Sequence, residues 1–225
     1  MSSFFRYDAN LENQIEGLLG ADRFAPYLSV MATNRRDALK LYVWNAALAS
    51  AFLSPIGALE VGLRNALNAS LTTSYGIAWY DDPTFLALDP TSRLADQIAR
   101  ARSYITRARP LRSLTNGRMV AELGISFWTS LLRPIYSRTL WPLLRGAFVP
   151  YTHRKTLMSH LEPLPAFRNR VAHHEPIYDR RPMQVYDGII AAAATISPSL
   201  PPWIEHHSRV RQCLSEGPGG RIQYF

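Results

Sequence analysis

The run Arg168-Asn169-Arg170-Val171-Ala172-His173-His174-Glu175-Pro176-Ile177 puts a fixed cation, an amide and two titratable imidazoles within about two turns of helix. Histidine exchanges protons near neutral pH, and arginine holds phosphate through paired N–H donors. That set suits metal-free cleavage of a phosphodiester. On RNA, His173 would take the 2′-hydroxyl proton or protonate the leaving 5′-oxygen, while Arg168 stabilises charge building at phosphorus. The 2′-hydroxyl is an internal nucleophile, so no metal is required, and the products would be a 2′,3′-cyclic phosphate and a 5′-hydroxyl. Asn169 and His173 are four apart and share a face of an ideal helix, as do Arg170 and His174; Arg168 reaches toward the first pair through its long side chain. One histidine per helix is thin for a reaction that benefits from an acid and a base, and a two-fold dimer would supply both. The same residues admit a plainer reading, a helix terminus whose imidazoles complement the helix dipole and whose Arg168 pairs with a carboxylate. The adjacent histidines of His173-His174 and His206-His207 point to different helix faces, and His-Glu-x-x-His is absent, so no metal is expected.

The elements that must hold this run read as helices. Leu39, Tyr42, Val43, Ala46, Ala49 and Leu53 recur at spacings of three and four behind a cap at Thr33 or Asn34. Ser54-Pro55 looks like a new helix start, followed by Ile56, Leu59, Leu63, Leu67 and Leu71 and a stop at Tyr75-Gly76. Residues 41–59 contain no charge and approach membrane-spanning length, but Asn45, Ser50, Ser54, Pro55 and Gly57 interrupt them; a buried helical hairpin is expected, outside any membrane. A helix over 91–107 would turn Leu94, Ile98, Ala101 and Ile105 inward. Further helices are expected over 119–132, weakened near Gly124, and over 152–161, 183–196 and 203–214. Pro163 and Pro165 precede the Arg168–His173 segment and Pro176 stops it, which makes it one short helix. No strand-like alternation, repeat or low-complexity tract occurs, so the class is all-α.

The 225 residues, 47% of them hydrophobic, suffice for a substantial core. The formal charge of +8 favours a polyanionic partner and says nothing about fold. Part of it forms a stripe: Arg93, Arg100 and Arg107 repeat every seven residues, flanked by Arg102, Arg109 and Arg112. Phosphate tracking along RNA is one reading; a solvated face, with Asp96 beside Arg93 and Arg100, is the other. Trp44 and Trp128, lying within apolar runs, read as core. Cys213 is the single cysteine, which excludes an intrachain disulfide and a thiolate metal cluster, and residues 1–10 carry no apolar leader core; a cytoplasmic location follows as the expectation.

The Arg168–Ile177 run resembles the signature of Abi-like (abortive infection) proteins of the HEPN superfamily, whose motif is Arg-x(4–6)-His with a polar residue after the arginine. Arg168 with His173 gives a spacing of four, and with His174 a spacing of five. Residues 58–67, Ala-Leu-Glu-Val-Gly-Leu-Arg-Asn-Ala-Leu, are similar to the family's Leu-Glu-x-x-x-Arg-Asn helix, and Tyr75-Gly76 with Trp79-Tyr80 fits its sequel. The resemblance spans about residues 30–200 and implies a HEPN-like helical bundle with additional helices. A helical extension over 1–30 and a C-terminal helix and tail over 201–225 would flank it. It further implies a dimeric, metal-independent endoribonuclease without cofactor, acting in phage defence or as the toxin of a toxin–antitoxin system. RNA would be the substrate and a protein or small RNA the antitoxin. By position, Arg168 and His173 match the catalytic pair and Asn169 the polar residue, while His174 would contact RNA or hold the loop. Glu60 and Arg64 would join from a neighbouring helix, or simply form an intrahelical ion pair. Some HEPN toxins carry a tyrosine two residues after the histidine, where an antitoxin adds AMP; here that position is Glu175, which disfavours the route. The alternatives to catalysis are a non-catalytic RNA-binding HEPN protein and a dimeric interaction module.

Overall fold

A computed structural model describes residues 7–108 and 114–219. Among them every regular element is helical, in agreement with the all-α expectation. They divide into two compact units assembled from interleaved segments. The first unit comprises Met1–Ser54, Ala166–Tyr186 and His207–Phe225; the second comprises Pro55–Pro165 and Asp187–His206. Arg109 and Arg112 of the basic connector lie outside the described residues.

The first unit opens with helices α1 (Ala9–Leu19) and α2 (Ala21–Val30). The Asp8 side chain caps α1 by accepting from the Leu11 N–H at 2.9 Å, and Gly20, at φ 86°, joins the two helices in a conformation that suits glycine. Helix α3 (Arg35–Tyr75) follows, with Asn34 accepting from the Asp37 N–H at 3.1 Å as its cap. The unit's core is aromatic. Phe24, Tyr27, Phe52, Phe167 and Tyr186 are all at least 97% buried, and the Phe52 ring meets Phe167 edge-on with centroids 4.7 Å apart. The Trp44 indole N–H donates to the Cys213 carbonyl at 2.8 Å, which ties α3 to the helix at Val210–Glu216 within this unit.

The helical hairpin expected at Ser54-Pro55 does not form. Helix α3 runs unbroken for 41 residues with Pro55 inside it. An interior proline removes one backbone hydrogen bond and costs about 3 kcal/mol. Phe52, Ile56, Leu59, Leu63, Leu67 and Leu71 are each buried to 96% or more, and burial of such side chains at roughly 1.5–3 kcal/mol apiece outweighs that loss. By length and composition α3 is apolar enough to cross a membrane, yet half of its most apolar window is buried inside the protein.

The second unit centres on Trp79 and Trp128, both fully buried and in edge contact with centroids 5.9 Å apart. Each indole is satisfied, Trp79 donating to the Asn68 side chain at 2.8 Å and Trp128 to the Leu123 carbonyl at 2.7 Å. After a short helix α4 (Pro83–Leu86), helix α5 (Arg93–Ala108) buries Leu94, Ile98, Ala101 and Ile105, the face its periodicity predicts. Asp89 anchors its start by accepting from the Leu94 N–H at 2.7 Å and the Thr91 N–H and hydroxyl at 3.0 and 2.6 Å. The single helix expected over 119–132 is two, α6 (Asn116–Glu122) and α7 (Ile125–Ser130), because extended backbone at Leu123 and Gly124 separates them. Helices α8 (Trp141–Leu144) and α9 (Arg154–Leu161) complete the run before Pro163. Helices α10 (Leu164–Ala172), α11 (Pro182–Ile196) and α12 (Leu200–His207) have residues in both units, and α13 (Val210–Glu216) belongs to the first. The span 203–214, expected as one helix, thus ends one helix and forms the next.

Candidate active site

Helix α10 is short for reasons visible in its sequence. Pro165 sits in the first turn, where a missing N–H is harmless, and Pro176 lies just beyond the end. Phe167 and Val171 are buried and fix the rotation of the helix, leaving Arg168, Asn169, Ala172 and His173 exposed. At about 100° per residue, Arg168 and His173 lie roughly 140° apart around the axis, with the small Ala172 and the amide of Asn169 between them. The His173 N–H still donates to the Asn169 carbonyl at 2.9 Å, so this pair keeps the common face its spacing predicts. Among the described residues, the side chains of Arg168, Asn169 and His173 have no hydrogen-bond or ion-pair partner. The carboxylate partner that the plainer reading gives Arg168 is therefore not formed.

His174 departs from the helix. Its φ is +56°, a left-handed conformation in which glycine is the usual occupant. Its N–H donates to the Val171 carbonyl at 3.3 Å, and the next N–H, of Glu175, reaches back to Arg170 at 2.9 Å. This reciprocal pair is the Schellman closure of a helix C-terminus. Consequently Arg170 and His174 do not form the i, i+4 pair expected of a longer helix. Arg170 instead donates to the Pro176 carbonyl at 3.2 Å and pairs with Glu175 at 3.3 Å.

Residues far away in sequence hold the turn. Arg23 on α2 donates to the carbonyls of His174 at 3.0 Å and His173 at 3.4 Å, placing a cation at the negative end of the α10 dipole. Asn45, 3% exposed within the uncharged stretch of α3, satisfies three backbone groups at once. Its Oδ1 accepts from the Ile177 and Tyr178 N–H groups at 2.8 and 3.2 Å, and its Nδ2 donates to the Glu175 carbonyl at 3.3 Å. The Tyr178 hydroxyl donates to the Pro26 carbonyl at 3.2 Å. Sequence reasoning missed Arg23 and Asn45. A buried amide in an apolar run was the available signal for Asn45, since such a group must find partners; Arg23 carried none.

No family model, no curated protein and no solved structure matches this chain.

The remaining sequence-designated residues lie in the second unit. Glu60 and Arg64 are half-buried on α3 and form no ion pair among the described residues; the Arg64 Nε is buried without a hydrogen-bond partner. Arg93, Arg100 and Arg107 are all exposed on α5. Arg102 is engaged structurally, paired with Asp81 and lying 5.8 Å from the centroid of the Tyr80 ring. Among the described residues no group of three or more His, Cys, Asp or Glu side chains is placed to hold a metal ion.

Proposed function

We propose that the protein is a metal-independent endoribonuclease of the Abi-like HEPN type, cytosolic and dimeric, with Arg168, Asn169 and His173 at its active site. The observation that carries this reading is an exposed, unpartnered Arg–Asn–His face beside a turn whose backbone is fixed by Arg23, Asn45 and Arg170. Rigid support for groups that make no contacts of their own suits preorganised chemistry better than stability. Arg168 binds the scissile phosphate, Asn169 orients it, and His173 carries the proton. Two copies apposed through this face bring a second His173, so that one acts as base and the other as acid. Restriction of phage growth, or a toxin role held in check by a protein or small RNA, is the setting the sequence resemblance supports.

Purified protein should cut single-stranded RNA in EDTA, leaving 2′,3′-cyclic phosphate ends. Arg168→Ala and His173→Ala should each slow cutting about 100-fold or more. Mixing His173→Ala with wild type should depress activity beyond simple dilution, and light scattering should give a dimer. Full activity in both single variants would refute the assignment.

A further inference from the structure

The long side of α5 is bordered by three adjoining clefts of about 370, 360 and 350 Å³. The first and second share Gln97, and the second and third share Tyr104 and Glu122, so together they follow the helix from Arg93 to Ala108. That is a path of about 24 Å at 1.5 Å per residue. Arg93 and Arg100 line it from α5, and Arg133 lines the first cleft together with Arg93. All three are exposed and have no ion-pair partner among the described residues. Tyr104, 62% exposed, presents an aromatic ring where the second and third clefts meet. Arg107 is also exposed on the same helix but lines none of these three clefts.

We propose that this path is a groove for single-stranded RNA, with a position beside Tyr104 and Glu122 that prefers guanine. Arginines spaced along a wall neutralise successive phosphates, and an exposed ring stacks a base; that combination recurs in grooves that take about 4 nucleotides or more. Glu122 orients the strand. Its carboxylate repels phosphate, which keeps the backbone on the arginine wall and turns a base toward Glu122. A carboxylate is acceptor-only, and guanine alone offers it two adjacent donors, N1–H and N2–H. The inference rests on the ribonuclease reading for the choice of RNA, but its test reads binding.

Binding is measured on the full chain carrying His173→Ala, with an eight-nucleotide oligo(U) and the same oligomer bearing one central guanine. Replacing Arg93, Arg100 and Arg133 together with Gln should weaken binding and flatten the slope of log affinity against log salt by about 2. Arg107→Gln should change affinity by no more than about twofold, since a charge off the groove releases few counterions. Tyr104→Ala should weaken both oligomers; Glu122→Gln should abolish the guanine preference without weakening oligo(U). An unchanged salt slope, an Arg107→Gln loss equal to that of Arg100→Gln, or a guanine preference surviving Glu122→Gln would overturn the groove. Equal affinity for an acidic peptide with the same residue dependence would also overturn it. Groove-dependent binding without cleavage by the wild-type chain would refute only the chemistry proposed at His173. Cleavage with no groove dependence would refute only the groove.

Discussion

Two neighbouring histidines, both exposed, have different backbones. His173 remains within the helical hydrogen-bond pattern and shares a face with Asn169, whereas His174 occupies the left-handed position that closes the helix. A side chain at such a position costs about 1–2 kcal/mol that glycine avoids. His174→Gly should therefore leave thermal stability unchanged or raise it by up to about 1 kcal/mol, and should retain RNA cleavage if His173 is the proton carrier. Thermal unfolding and a cleavage assay on that one variant check both halves. Loss of cleavage with a raised melting temperature would move the chemistry to His174. The sequence made the candidate residues legible because arginine, asparagine and histidine at these spacings are chemically distinctive. It offered His174 as an RNA contact or a loop anchor but gave no sign of the left-handed backbone there, because the usual glycine at that place is missing. Nor did it reveal Arg23 and Asn45, which act through contacts separated by 130 residues or more.

At the scale of elements, periodicity read well where one face alone is buried. Leu94, Ile98, Ala101 and Ile105 of α5 were legible for that reason. It failed at Pro55, where the local signal of a helix start is outweighed by burial on both sides, a fact absent from any short window. The start of α5 also carries a titration. Burial pushes the Asp89 carboxyl up, but hydrogen bonds from the Leu94 N–H, Thr91 and Tyr136 outweigh it and hold the group down at about 2, against an ordinary 3.8. A carboxylate depressed in the folded state stabilises above its unfolded value, and that contribution disappears as pH falls from about 4 toward 2. The shift corresponds to about 2 kcal/mol at neutral pH. Asp89→Asn should lose roughly that much in urea unfolding at pH 7 and much less relative to wild type near pH 2. An equal deficit at both pH values would mean that the carboxylate's charge plays no part in anchoring α5.

For the molecule as a whole, the single thiol provides a clock. Cys213 is 2% exposed in the first unit, and burial raises its pKa, so both access and thiolate formation are suppressed in the native state. A thiol reagent can label it only when that unit opens, and each 1.4 kcal/mol of opening free energy slows labelling about tenfold. Helix α3 supplies residues to both units without a break. A fracture confined to one unit would have to interrupt that helix, so labelling and far-ultraviolet circular dichroism should follow the same denaturant dependence. Labelling that runs ahead of the loss of helix would reveal a native ensemble in which the first unit opens by itself. Covalent capture of one sulfur would then count how often the unit that holds the His173–His174 turn comes apart.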